Sequence, residues 1–203
     1  MHVLEAIHDR LERISRAAVW LAGGALLLAA IMVTVDVLSR KFLGVTMSGS
    51  DEISGYVFAA GTTWSYAYCA IHRSNIRIDA LYNFLPQGVQ AVLDVVGLSL
   101  LFAYMSLLTV SGWEVFVTSF EKNSVAISTL ATPLWIPQLF WITGLIMFLI
   151  TLGFLIIYSG FALITGQLDV VQKVAGTLSV EDEIEEETQG IQELKKNSNG
   201  GGA

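Results

Sequence analysis

The sequence predicts an all-α integral membrane protein with four transmembrane helices and additional amphipathic interfacial helices. Three observations carry this. The 203-residue chain is 54% hydrophobic and only 14% charged, with a mean hydropathy of +0.62, too apolar for an ordinary soluble domain. It holds four separate uncharged runs, each about as long as the roughly 20 residues a helix needs to cross about 30 Å of hydrocarbon. Its lysines and arginines divide unevenly between the two sides those runs define.

The runs are 17–35, 53–71, 95–113 and one within 139–164. In lipid each span must satisfy its own backbone hydrogen bonds, and runs of this length read as helices rather than barrel strands. The first run follows a long leader of mixed charge and exceeds a signal-peptide core, so it is expected to remain as an anchor. Arg10, Arg13, Arg16, Arg73, Arg77, Lys173, Lys195 and Lys196 fall on one side, against Arg40, Lys41 and Lys122 on the other. The richer side is expected to be cytoplasmic, which puts both termini there. The organisation is then a cytoplasmic leader at 1–16, a membrane domain at 17–168 and an acidic tail at 169–203.

Three segments have an amphipathic pattern. Leu4, Ile7, Leu11, Ile14 and Ala18 share one face of the leader, which predicts a helix lying on the inner surface. Ile78, Leu81 and Leu85 line a second piece at 76–85, closed by Pro86. A third precedes the last span at 114–130 and is closed by Pro133 and Pro137. The tail carries eight acids against three lysines, which accounts for most of the net charge of −7, and reads as solvated and mobile.

Chemistry is sparse. The chain has no clustered basic stripe of the kind that phosphate contacts require, so nucleic acid is not an expected partner. Cys69 has no second cysteine for a disulfide, a redox pair or a zinc site. His2, His8 and His72 sit at or beyond the membrane edges, which leaves no pair to hold a haem between spans. There is no phosphate-binding Gly-Lys-Ser/Thr loop, no nucleophile elbow and no zinc-protease pair. No catalytic residue, metal or cofactor is expected, and the protein is not expected to be an enzyme.

The remaining polar positions lie at span ends. Asp36 and Arg40 are four apart with the acid first, which suits an intrahelical ion pair closing the first span. Asp51 and Glu52 follow Ser48-Gly49-Ser50, where carboxylates favour a helix start and a serine can cap it. His72, Arg73, Arg77 and Asp79 cluster at the inner end of the second span, as inner-leaflet anchors or as contacts. Gly55 with Ala59, and Gly153 with Gly160, offer close approach to another helix of this chain or of a partner. Thr62, Thr63, Ser65, Trp64, Tyr66 and Tyr68 make the second span too polar to be fully exposed to lipid.

Four stretches in this order resemble a known family: Asp36-Val-Leu-Ser-Arg40, Ser48-Gly-Ser-Asp-Glu-Ile-Ser-Gly-Tyr56, His72-Arg-Ser-Asn-Ile-Arg-Ile-Asp79 and Ser128-Thr-Leu-Ala-Thr-Pro-Leu-Trp-Ile-Pro137. The family is the DctQ-like small membrane subunit of tripartite ATP-independent periplasmic (TRAP) transporters. The resemblance covers nearly all of the membrane part and leaves out the tail. It implies a non-catalytic subunit in a bacterial inner membrane, bound to a large permease subunit and served by a periplasmic solute-binding protein. The large subunit would hold the solute and sodium sites, and the small one would extend its static scaffold during uptake of a small organic anion. On this reading Asp36, Arg40, Asp51, Glu52, His72, Arg77 and Asp79 fix the chain against its partner or hold its own helices in register. Two rival classes stay open: an independent four-helix homo-oligomeric exporter, for which Asp94 is the nearest approach to a deep carboxylate, and an assembly subunit of a respiratory complex.

Overall fold

A computed structural model describes residues 2–73, 85–165 and 188. Four long helices account for most of them: α1 (His2–Leu43), α2 (Ser50–Ile71), α3 (Gln87–Glu121) and α4 (Trp135–Ile164). The described residues contain no strand beyond an isolated bridge between Val125 and Pro133. Three of the helices, α1, α3 and α4, are long and apolar enough to cross a membrane. The fourth, α2, has 22 residues, about 33 Å of helix, but its threonines, serine and aromatics dilute its hydropathy.

Two of the expected interfacial pieces take another form. The leader is helical but continues into the first apolar run without a break, because α1 extends over 42 residues. No proline or capping turn interrupts it. Arg16 pairs with Glu12 one turn back, and Arg13 Nε donates to the Asp9 carbonyl at 3.3 Å, so the leader's charges are held along its own helix up to the start of the apolar run. The segment 114–130 is not a separate helix either. Its first half is the end of α3, where Trp113 packs tilted on Phe116, Phe116 stacks on Phe120 and Phe120 meets Trp135 edge-on. Its second half lies in a tight connection bonded to itself. There Ser124 N–H donates to the Ser119 carbonyl at 3.0 Å, Ala126 N–H to Thr132 at 2.9 Å and Leu134 N–H to Ser124 at 2.9 Å. The third piece, 76–85, falls almost wholly outside the described residues; Leu85 leads into Pro86, which caps α3.

The helices pack in a row, in the spatial order α1, α2, α4, α3. α1 and α2 are antiparallel: Asp36 meets Ser50 near one end, Gly61 faces Ala22 and Leu26 in the middle, and Glu12 approaches His72 near the other. α2 and α4 run parallel, with Trp64 Nε1 donating to the Phe140 carbonyl at 2.9 Å and Tyr66 against Phe148 at 5.4 Å. α3 and α4 form an antiparallel hairpin around Leu98, Met105, Ile142, Leu145, Leu152 and Leu155, the apolar core of the chain.

Hydroxyl side chains inside the helices bond back to their own backbone. Thr109 donates to Met105, Thr151 to Met147 and Ser159 to Leu155, at 2.7, 3.0 and 2.7 Å. These polar groups therefore need no water within the apolar layer.

Close helix approach occurs at glycines other than those the spacing suggested. A Cβ on Gly144 would lie 2.5 Å from Thr63 Oγ1 and 2.9 Å from Trp64, and one on Gly112 would lie 2.9 Å from Trp141. Among the described residues Gly55 and Gly160 instead face open space, and Gly153 has only an ordinary contact, 3.6 Å to Phe102. Ala59 is half-buried on α2. Gly144→Ala should therefore cost about 1–3 kcal/mol by overpacking. Gly160→Ala should be neutral or slightly stabilising, since a helix-interior glycine costs about 0.5–1 kcal/mol relative to alanine. Thermal unfolding of the two purified variants in one detergent checks the contrast.

Candidate functional site

The polar residues singled out in the sequence collect at two ends of the helical row. At the first, α1 closes with Arg40 and Lys41 in its last turn and the chain reverses through residues 44–49. The reversal needs left-handed backbone at Gly44 (φ 68°) and Gly49 (φ 96°), which glycine adopts without steric cost. Asp36, 1% exposed, anchors it. Its Oδ1 accepts from the Met47 backbone N–H at 2.5 Å and the Thr46 hydroxyl at 3.3 Å. Its Oδ2 accepts from Arg40 at 2.5 Å and the Ser50 hydroxyl at 3.0 Å. The expected Asp36–Arg40 pair is present, but it is one arm of a four-partner staple joining the end of α1 to the start of α2.

This arrangement corrects the expected cap. Gly49 occupies the N-cap of α2 and no side chain caps that helix start. Ser50 is buried with its hydroxyl turned to Asp36, while Asp51 lies exposed in the first turn. Placing acids in that turn still suits the helix dipole.

Glu52 connects α2 to the connection before α4. Tyr56 donates to its Oε1 at 2.7 Å, and the hydroxyls of Ser128 and Thr132 face the same carboxylate. Glu52 precedes the apolar run 53–71, and the Ser128 hydroxyl, followed by that of Tyr56, holds its carboxyl below the usual range against a smaller opposing effect of burial. In the same place Leu130 lies directly over Gly49, where a side chain would collide with it. The connection is thus latched to α2 by two hydroxyls on Glu52 and one apolar contact, Leu130.

At the other end, His72 caps α2 and Arg73 follows in left-handed backbone (φ 52°). His72 Nε2 lies 3.7 Å from Glu12 Oε1 on α1, the same oxygen that Arg16 engages. The imidazole also packs on Tyr68 at 4.1 Å, while His8 reaches across to Phe154 at 6.4 Å. His8, Asp9 and Glu12 bring potential ligand atoms within 4.8 Å of one another, but the Glu12 carboxylate already serves Arg16 and His72, so the cluster reads as an ion-pair network. Arg77 and Asp79 lie outside the described residues.

The structure therefore brings Asp36 and Arg40 together, places Glu52 on a neighbouring latch, leaves Asp51 exposed, and puts His72 at the opposite end on Glu12. Sequence reasoning missed Glu12, whose one signal was its spacing to Arg16, and Thr46, which has no periodic signal at all. Asp94, buried in α3, is only the eighth residue of that helix, well short of its middle.

Taken together, apolar helices with internally bonded hydroxyls and charges gathered at their ends define a helical integral membrane protein. A family model described as "Tripartite ATP-independent periplasmic transporters, DctQ component" matches residues 29–161, 133 of the 203 residues. The chain belongs to this family, a component of TRAP transporters. No curated protein and no solved structure matched it.

The staple predicts an asymmetry between its two charged partners. Asp36→Ala removes the acceptor for four donors and should lower the unfolding temperature by several degrees. Arg40→Ala, at a side chain 55% exposed, should cost about 0–1 kcal/mol. Thermal melts of both variants in the same detergent would show equal effects if the four contacts did not act through Asp36.

Proposed function

We propose that the protein is the non-catalytic small permease subunit of a TRAP-type secondary transporter, extending and anchoring the static scaffold of a large permease subunit. The transporter would take up a small organic anion, delivered by a periplasmic binding protein and coupled to sodium. The observation that carries the scaffold role is the row of helices. A row presents two broad apolar faces and an edge at each end, which suits a wall better than a closed bundle surrounding a site. Its charges are spent on staples at the ends of the helices, which suits a part that holds its shape while another moves.

We propose further that α2 is a fourth crossing. It is antiparallel to α1, lies between α1 and α4, and its apolar run 53–71, about 28 Å of helix, is close to the hydrocarbon thickness. Its polar content is compatible with a position between other helices. Four crossings put both termini on one side, and the lysine and arginine distribution favours the cytoplasmic side of a bacterial inner membrane. Asp36, Arg40, Asp51, Glu52, His72, Arg77 and Asp79 then serve helix register or partner contact, with exposed Arg40 and Asp51 the better candidates for the partner. Gly55 and Gly160, open in this chain, offer close approach to a helix of the permease.

Affinity purification of the tagged chain from its native membrane, with mass spectrometry of what accompanies it, tests the assignment. A large multi-span permease should co-purify, and Arg40→Glu should lower its recovery several-fold while the chain itself remains inserted. A purified chain that forms a stable homo-oligomer, carries ion-coupled flux alone in liposomes and brings no permease would instead establish the exporter.

A further inference from the structure

Between α1, α2 and the start of α4 lies an open groove of about 790 Å³, within the range of small-molecule sites. Its floor is made by small side chains, Ala17, Ala18 and Ala22 of α1 with Ala60 and Gly61 of α2, and its far wall by Ile136 and Phe140 of α4. Along α1 it extends from Ile14 to Ala25, about 16 Å of helix. Its few polar side chains are turned to protein partners: Tyr56 donates to Glu52 and Trp64 to the Phe140 carbonyl. What fills such a slot must be long and apolar.

The end of the groove at Ile14 adds a charge. Arg10 is one turn before Ile14 and shares the face formed by Ile14, Ala17, Ala18 and Leu21. It is exposed, and among the described residues it has no hydrogen-bonding or ionic partner, whereas Arg16 is held by Glu12 and Arg13 by the Asp9 carbonyl. Four residues of helix place Arg10 about 6 Å beyond Ile14. Counted from Ala17, where the apolar run begins, Arg10 is seven residues or about 10 Å out, at the outer edge of a headgroup layer about 5–7 Å deep on each side of the hydrocarbon. An apolar slot within the membrane, with a cation at the headgroup edge that has no partner among the described residues, is complementary to one molecule in both parts.

We propose that this groove is a binding site for an anionic phospholipid, with an acyl chain lying along Ala17, Ala18 and Leu21 and its phosphate held by Arg10. The lipid completes the surface between α1 and α4, which leave the groove open between them although His8 reaches Phe154 near its inner end. The site needs only a membrane-embedded chain, so it stands or falls separately from the transporter assignment.

The test uses the full chain reconstituted into vesicles of equal phosphatidylglycerol and phosphatidylcholine, extracted in mild detergent and analysed for retained lipid by native mass spectrometry. Wild-type protein should retain phosphatidylglycerol preferentially, by about fivefold for one interfacial cation. Arg10→Gln should return the ratio to that of the vesicles. Ala17→Phe, at an exposed position on the groove floor, should reduce retention of both lipids without unfolding the chain. Equal retention of the two lipids by wild type, or an Arg10→Gln ratio unchanged from wild type, overturns the proposal. So does efficient cross-linking of an Ala17→Cys variant to another membrane protein in native membranes, which would make the groove a protein interface.

Discussion

The carboxylate of Asp36 ties the first half of this protein together. A helix ending in lipid leaves its last carbonyls and the next helix's first amides without partners, and the chain must reverse in six residues between α1 and α2. Asp36 holds that reversal by accepting from the Met47 backbone amide within the turn, two hydroxyls and a guanidinium at once. Because it is buried, its charge is tolerable only while those donors remain in place. The position of α2 against α1 follows from it, and so does the register that carries Gly61 to Ala22 and Glu12 to His72.

The second constraint is the tight contact of α4 with both neighbours. Gly144 admits Thr63 and Trp64 of α2, and Gly112 admits Trp141 and Ile142 of α4. With α4 held on both sides, the four helices form a row instead of closing into a bundle, and many large apolar side chains remain outward, such as Trp20, Leu21, Leu100 and Ile157. In water such a surface would aggregate; in lipid it is the solvent-facing surface, and the same faces are available to a membrane partner. Membership of a multi-component transporter family is consistent with that shape.

Much of the membrane architecture was legible in the sequence because the hydrocarbon imposes a length and a composition that any crossing helix must show. The all-helical class and the Asp36–Arg40 spacing follow from local rules, and the ordered polar stretches pointed to the family. The long extent of α1 was harder to read: a charged amphipathic leader and an apolar span differ in composition but share one helical period, so nothing local marks whether a turn separates them. The 114–130 segment misled for a related reason, since helical periodicity at 114–121 belongs to the end of α3, while the bonds that shape 122–134 are made between residues ten or fewer apart with no repeat to betray them.

The glycines and the serine cap show most clearly where sequence stops. Spacing by four or seven identifies glycines on one helix face, but only the neighbouring helix decides which of them is approached, and it chose Gly112 and Gly144 over Gly55 and Gly160. A serine of Ser48-Gly49-Ser50 was expected to cap α2, yet Gly49 takes the cap position and the Ser50 hydroxyl goes to Asp36, fourteen residues earlier. The sequence by itself determined that this chain lives in a membrane as helices, because transfer of apolar side chains and backbone groups into lipid is a sum over local residues. Tertiary structure alone decided the order of the helices, the partners of each buried polar group and the groove beside Arg10, because each depends on residues distant in the chain meeting at a few ångströms.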